Sequence, residues 1–395
     1  MGIDNLEHGF EVNTQLDPGK RPDLCPDTRG GPTFVSMTSW TACRSLVRSR
    51  GNRFRVFTRI SIALVSLLLV AILGLTFLIL RPPIGSSTMK LLGTTPIPAT
   101  TSLLSGTDYA AVRGGTLYVA YGSTGNLLAM DTHTSELSTF ASHLDGLHGV
   151  AFSDDPAYAF VSEGGANQVA VLEAEGGTLV RNITAGENPD GIVYDSKDGL
   201  AYVGSGKSDS ATLIPARTLD QAYTIPLGGS PEFPQVDETT GLIYQPLENT
   251  NEVVVIDPHQ HGVVRRFPVT PCESPKGSAI DMVGRVLLVG CSNRILAVLS
   301  LEDGHLGATV PIGRFVDVVA WDAGLHRAYT ANAATMTVIQ QTGSAEYAVL
   351  DTVRTKAGGH TLAVDSATHR VYVISSGLRG GLIATYEPRR ESLQP

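Results

Sequence analysis

A short aromatic or apolar strand returns every 42 or 43 residues, and nothing else in the chain restricts its fold so tightly. It reads LYVAYG at Tyr118, AFVSEG at Phe160, AYVGSG at Tyr202 and IYQPLE at Tyr244. It continues as VLLVGC at Leu287, AYTANA at Tyr329 and VYVISS at Tyr372, so the spacings are 42, 42, 42, 43, 42 and 43 residues. Around each copy the order is constant. An apolar strand (GVAFS, GIVYD, GSAID, DVVAW, TLAVD) and an Asp/Gly/Thr turn precede it, and a Gly/Asn/Ser loop follows. A third apolar strand (QVAVLEA, EVVVIDP, ILAVLSL) and a more polar fourth (TLVRNIT, VVRRFPV, GATVPIG) complete the unit. Four strands in about 42 residues is the pattern of a β-propeller blade, which cannot bury both faces alone and must stack against its neighbours. The spacing therefore predicts an all-β, seven-bladed propeller of four-stranded blades. High glycine (42 residues) and few aromatics (6%) suit such a turn-rich fold.

The seventh copy has only three strands before the chain ends at Pro395. Its outer strand must come from the spare residues between Lys90 and Ser102, KLLGTTPIPATTS, which leaves no open edge. The propeller is thus expected over residues 90–395, after a linker at 81–89.

The units resemble the YVTN-type β-propeller repeat, carried by NPDGIVYDSKDGLAYVGSG and HTLAVDSATHRVYVISSG with EVVVID as a third strand. The resemblance spans residues 105–388. PCESPKGSAIDMVGRVLLVGCSNRILAV and PIGRFVDVVAWD are similar to secreted YncE-like members. It implies a binding or surface-associated protein with no settled catalytic set; propellers carry many functions, so the likeness speaks to fold.

Ahead of the repeats, Ile60 to Leu80 is an uncharged run of 21 residues, long enough to cross a hydrocarbon core as a helix. Arg44, Arg48, Arg50, Arg53, Arg55 and Arg59 precede it, and only Arg81 follows closely. The positive-inside rule then predicts a single-pass signal anchor at 60–80 with the N-terminus cytoplasmic and the propeller periplasmic or extracellular. The alternative is secretion after signal cleavage, from a start at Met37. Residues 1–59 lack periodicity and read as a mostly disordered cytoplasmic tail.

Residues 1–80 hold nine Lys and Arg against six Asp and Glu, leaving 20 against 32 in 81–395, a net of −12. So acidic a body gives no sign of nucleic-acid binding, which draws on basic patches. The run GSGKS at Gly204–Ser208 imitates a phosphate loop, yet position 201, where that loop needs glycine, is Ala201, and no helix follows. No Gly-x-Ser-x-Gly elbow and no haem or zinc spacing occurs.

Cys25 and Cys43 precede the span and stay reduced in a cytoplasm. Cys272 lies just before the first strand of blade five and Cys291 ends its second. The connections into strand one and out of strand two share a face of a blade, so a Cys272–Cys291 disulfide is expected in an oxidising compartment.

One column of the repeat stands apart. The position just before each innermost strand, which projects toward the mouth of the central channel, reads Asp108, His148, Asp190, Glu232, Lys276, Asp317 and His360. All seven are ionisable in a chain with 17% charged residues. A wet channel mouth attracts polar residues regardless of function. The same ring could bind a small polar ligand, and the His360–Asp108–His148 arc could hold a divalent metal ion. Loops after the aromatic strands add Glu163, Asn167, Lys207, Glu248, Asn251 and Asn293. The expectation is a monomeric, membrane-anchored module that binds a small polar ligand or an envelope protein. Its rival is a metal-assisted hydrolase or lactonase using the channel His/Asp ring.

Overall fold

The computed structural model describes residues 64–74, 81–100, 106–220, 223–377 and 380–390. The chain divides into two units, Met1–Leu75 and Thr76–Pro395. In the first, residues 64–74 are helical with exposed side chains. Among the described residues no helix is long and apolar enough to cross a membrane. Most of the span expected at 60–80, and all of the tail at 1–59, lie outside the described residues.

The second unit is a seven-bladed propeller, built as seven antiparallel four-stranded sheets. The innermost strands run Ala110–Arg113, Leu147–Phe152, Pro189–Asp195, Gln235–Asp237, Pro275–Asp281, Val316–Asp322 and Gly359–Asp365. The recurring aromatic strand is second in every blade, and Phe160, Tyr202, Tyr329 and Tyr372 are fully buried there between sheets. Blade seven is completed by Met89–Ile97, which pairs antiparallel with Gly380–Pro388 from Met89↔Pro388 to Ile97↔Gly381. Met89 and Ile97, at the two ends of this strand, are both buried.

The aspartate ending the innermost strand has a structural task. Asp195, Asp237, Asp281, Asp322 and Asp365 are buried, and each accepts a turn N–H two residues on, from Lys197, Thr239, Val283, Gly324 and Ala367, at 3.0 Å. These are Asx turns, in which the side chain stands in for a backbone acceptor. Three of them also bridge blades, where Arg285 donates to Asp237 at 2.7 Å, Tyr347 OH donates to Asp281 at 2.6 Å and His369 Nδ1 lies 2.9 Å from Asp322.

The glycine in the Asp-Gly-Ile and Lys-Gly-Ser motifs has a spatial reason. A Cβ on Gly277 would stand 2.3 Å from the Asp317 carbonyl oxygen of the next blade, and one on Gly191 2.9 Å from that of Glu232. These glycines let neighbouring innermost strands converge on the channel. Gly277→Ala forces two backbones apart and is expected to cost about 3 kcal/mol, read as a lowered urea midpoint.

Cys272 and Cys291 are buried and disulfide-bonded, with Cα atoms 5.3 Å apart and a sequence separation of 19. A loop of that length contributes about 3 kcal/mol by constraining the unfolded chain.

Candidate functional site

Five of the seven column residues sit in a register irregularity at the start of their innermost strand. The ladder shifts between Leu147 and Val150, Pro189 and Ile192, Pro275 and Ser278, Val316 and Val319, and Gly359 and Thr361. These intervals contain His148, Asp190, Lys276, Asp317 and His360. An extra residue in one strand re-aims a side chain that regular pleating would direct into the sheet packing. Asp108 and Glu232 stand in the connections before their strands.

The seven side chains form three groups along the channel mouth. In the first, His148 Nδ1 is 2.6 Å from Asp108 Oδ2 and 3.7 Å from Asp190 Oδ1. In the second, Lys276 Nζ is 2.8 Å from Glu232 Oε1 and 2.5 Å from Glu248 Oε1, and Ser274 Oγ also donates to Glu248. In the third, His360 Nδ1 is 3.0 Å from Asp317 Oδ2, and its Nε2 lies 3.5 Å from Ser376 Oγ. The arc drawn from sequence, His360–Asp108–His148, therefore divides differently. Asp190 joins Asp108 and His148 as a set whose donor atoms all lie within 4.8 Å of one another, while His360 turns to Asp317.

The electrostatics follow from the shared burial of unequal charges. Burial pushes Asp190 up to about 7, aided by Asp108 and opposed by His148. Burial likewise pushes Glu232 up to about 8, against the attraction of Lys276. For His148, burial favours the neutral ring, but the hydrogen bond it donates to Asp108 and the charges of Asp190 and Asp108 outweigh it and raise its pKa. His360 is raised chiefly by its bond to Asp317. Counting Glu248, the mouth gathers five carboxyl groups around two imidazoles and one ammonium, and it gains negative charge as Asp190 and Glu232 ionise near pH 7 and 8.

Below this ring the channel is closed by two residues the sequence reading passed over. Tyr109 follows Asp108 and Phe233 follows Glu232, and their rings meet across the channel at 4.7 Å between centroids. Burial, then the charges of Asp190, Asp317, Glu232 and Asp108, hold the Tyr109 hydroxyl far above the range of a free phenol. The floor separates the charged mouth from a cavity of about 300 Å³ walled by residues such as Ala110, Val112, Ala279, Val319 and Ala363. The only sequence signal for it was an aromatic directly after the ring column in two blades.

Phe315 was also missed. It precedes Asp317 by two residues, is 73% exposed, and holds a left-handed backbone at φ 56°. Asn188, the corresponding residue of blade three, adopts the same conformation at φ 56°. A bulky side chain disfavours this region by about 1 kcal/mol or more, while asparagine tolerates it. Phe315→Asn is therefore expected to stabilise the fold by about 1 kcal/mol, seen as a raised urea midpoint.

The loop candidates separate by role. Glu248 belongs to the ring. Glu163 is buried and braces its turn, accepting from Asp145 N at 2.7 Å and Gln168 Nε2 at 2.8 Å. Asn167 and Asn251 accept from the entry segment of the next blade, at Asn188 N (2.9 Å) and Ser274 N (2.7 Å). Asn293 ties the Cys272 loop through Pro271 O at 2.7 Å. Lys207 is exposed, close enough for its charge to oppose protonation of His148.

Fold and site together define a seven-bladed β-propeller with an ionisable, plugged channel mouth. No protein-family model matches the sequence, and no curated protein sequence matches it. Solved structures do match in shape. Hydrazine synthase of Kuenenia stuttgartiensis superposes with a TM-score of 0.60 at 14% identity, covering 70% of this chain and 94% of that one. A streptogramin B lyase gives 0.61 at 13% identity over 76% and 98% of the two chains. The WD40 propeller domain of Doa1 gives 0.62 at 10% identity over 78% and 99%. At such identities the likeness establishes the propeller and nothing finer.

Proposed function

We propose that this chain is a YVTN-type, YncE-like propeller that works outside the cytoplasm as a monomeric binding module for a small, polar, cationic ligand. The observation that carries this reading is the assembly of seven ionisable side chains, in excess acid, at one channel mouth above a Tyr109–Phe233 floor. A shallow rigid cup of this kind positions polar groups without moving. Phe315 adds an exposed aromatic face beside it. The single-pass anchor at 60–80 rests on the arginine asymmetry around an uncharged run of 21 residues, and the Cys272–Cys291 bond agrees with an oxidising compartment.

Spermidine, a flexible polycation, is a suitable probe. Calorimetric titration of the full chain at low ionic strength and a pH above about 8, where Asp190 and Glu232 are ionised, is expected to give saturable binding. The triple variant Asp190→Asn, Glu232→Gln, Asp317→Asn is expected to lose it. Undiminished binding by the triple variant contradicts the proposal, and absence of binding by the wild type does so as well, pointing instead to an envelope protein as the occupant.

A second reading, a metal-assisted hydrolase or lactonase, draws on His148, whose imidazole is held by Asp108 at 2.6 Å as a general base would be. Turnover of simple lactones that His148→Gln abolishes would favour it over the binding module.

A further inference from the structure

The three groups of the ring are not equivalent in how their charge is answered. Glu232 and Glu248 share Lys276, and Asp317 is matched by His360. Asp108 and Asp190 have between them only one imidazole nitrogen, His148 Nδ1. Among the described residues neither carboxylate forms an ion pair with a lysine or arginine. Asp190 Oδ1 is shielded from solvent and has no hydrogen-bond partner, although it faces that nitrogen from 3.7 Å. A buried carboxylate oxygen with no donor is costly, and a bound cation removes the cost.

We propose that Asp108, His148 and Asp190, one from each of three consecutive blades, hold a divalent cation such as Zn²⁺ or Mn²⁺ at the channel mouth. Two carboxylates and an imidazole form the mixed oxygen–nitrogen set that such ions accept. Ligand bonds of about 2.0–2.2 Å place neighbouring donors roughly 3–3.5 Å apart. The separations of 2.6 and 3.7 Å bracket that range, so small side-chain rotations complete the site. Three protein donors leave further positions for water or a ligand atom on the solvent side. Ca²⁺ fits poorly, since it takes six to eight oxygens. Backbone placement supports the geometry: His148 and Asp190 lie in the register irregularities, and Gly164 leaves room for the imidazole, because a Cβ there would stand 2.6 Å from His148 Nε2.

This inference deepens the ring reading and rests on the ring as the working site. The full chain, dialysed against a chelator and then freed of it, is titrated with Zn²⁺ and separately with Mn²⁺ by calorimetry. One equivalent of at least one ion is expected to bind. Asp190→Asn and His148→Gln should each weaken it by about 100-fold or more, since even outer-shell changes cost 10–100-fold. Glu175→Gln and Asp303→Asn, in exposed turns at the opposite ends of the strands, should leave it unchanged. Circular dichroism checks that each variant is folded, and Asp108→Asn supplies an independent loss if one is not. Absence of saturable binding by both ions, or equal affinity in folded Asp190→Asn, overturns the cation site. Spermidine titration of the same samples separates the two claims: spermidine bound without metal removes the cation site alone, and metal bound without spermidine removes the organic-cation reading.

Discussion

Replacing Met89–Ile97 with a glycine–serine stretch of equal length is expected to lower the thermal midpoint of the propeller by more than 10 °C and to make the protein aggregate. The strand contributes Met89, fully buried in a core shared with Val353, Val373 and Tyr386, and Ile97, which packs with Tyr121 and Ile374. Burying such side chains is worth about 2–3 kcal/mol each. Its ladder with Gly380–Pro388 is lost at the same time, and an unpaired edge strand templates association. For a domain of this size each kcal/mol moves the midpoint by about 2–4 °C or less. The single change Met89→Ala gives a graded version, costing about 2–5 kcal/mol by leaving a cavity. An unchanged midpoint in both variants would mean that blade seven is stable without its N-terminal strand.

The second large effect concerns Lys276. Lys276→Met removes the one ammonium shared by Glu232 and Glu248, whose side chains are 13% and 37% exposed. Stripping a partner from a buried pair costs about 3–5 kcal/mol, and partial solvent access reduces that here to about 2 kcal/mol, felt in full only above about pH 8, where Glu232 is ionised. The pH dependence has a defined sign. Burial raises Glu232 to about 8 in the folded chain, against about 4.3–4.5 unfolded, with Lys276 opposing and Glu248 and Asp190 adding to the shift. The folded state therefore retains a proton that the unfolded state has released. Stability is greatest below about pH 4.5 as far as this group is concerned, and it declines until pH passes about 8. At about 1.4 kcal/mol per pH unit the whole decline amounts to a few kcal/mol. Glu232→Gln should flatten the curve of urea midpoint against pH between 4.5 and 8. It should also lessen the penalty of Lys276→Met in the double variant. Parallel wild-type and Glu232→Gln curves would contradict the assignment.

Much of the fold was legible because a propeller repeats its physics. An aromatic, or Leu287 in blade five, recurs in each second strand from Tyr118 to Tyr372 every 42 or 43 residues, since every blade buries it between sheets. The missing strand of blade seven followed from counting, and the Cys272–Cys291 bond from the shared face of two connections. The ring column was legible for the same reason, as a position defined by period. Pairing within it was not. Whether His360 meets Asp108 or Asp317 depends on how register shifts at Val316–Val319 and Gly359–Thr361 aim two side chains, and such shifts leave no mark on a 42-residue period. The Tyr109–Phe233 floor joins residues 124 apart in sequence on opposite sides of the channel, beyond any local pattern. Asn167, Asn251 and Glu163 resembled ligand-binding loop residues, but their acceptors are used on backbone N–H groups. Polar loop side chains serve turns and sites alike, and composition cannot separate the two.

Spermidine affinity compared between two charge-neutralised faces of the full chain tests the central claim most directly. One variant neutralises the mouth through Asp190→Asn, Glu232→Gln and Asp317→Asn. The other removes the same number of carboxylates from exposed turns at the opposite ends of the strands, through Glu175→Gln, Glu238→Gln and Asp303→Asn. Binding that is lost in the first and kept in the second, with both folded, is the result expected of a ring that forms a site. Equal affinities in the two variants would show that overall acidity, and not the assembled mouth, attracts the cation.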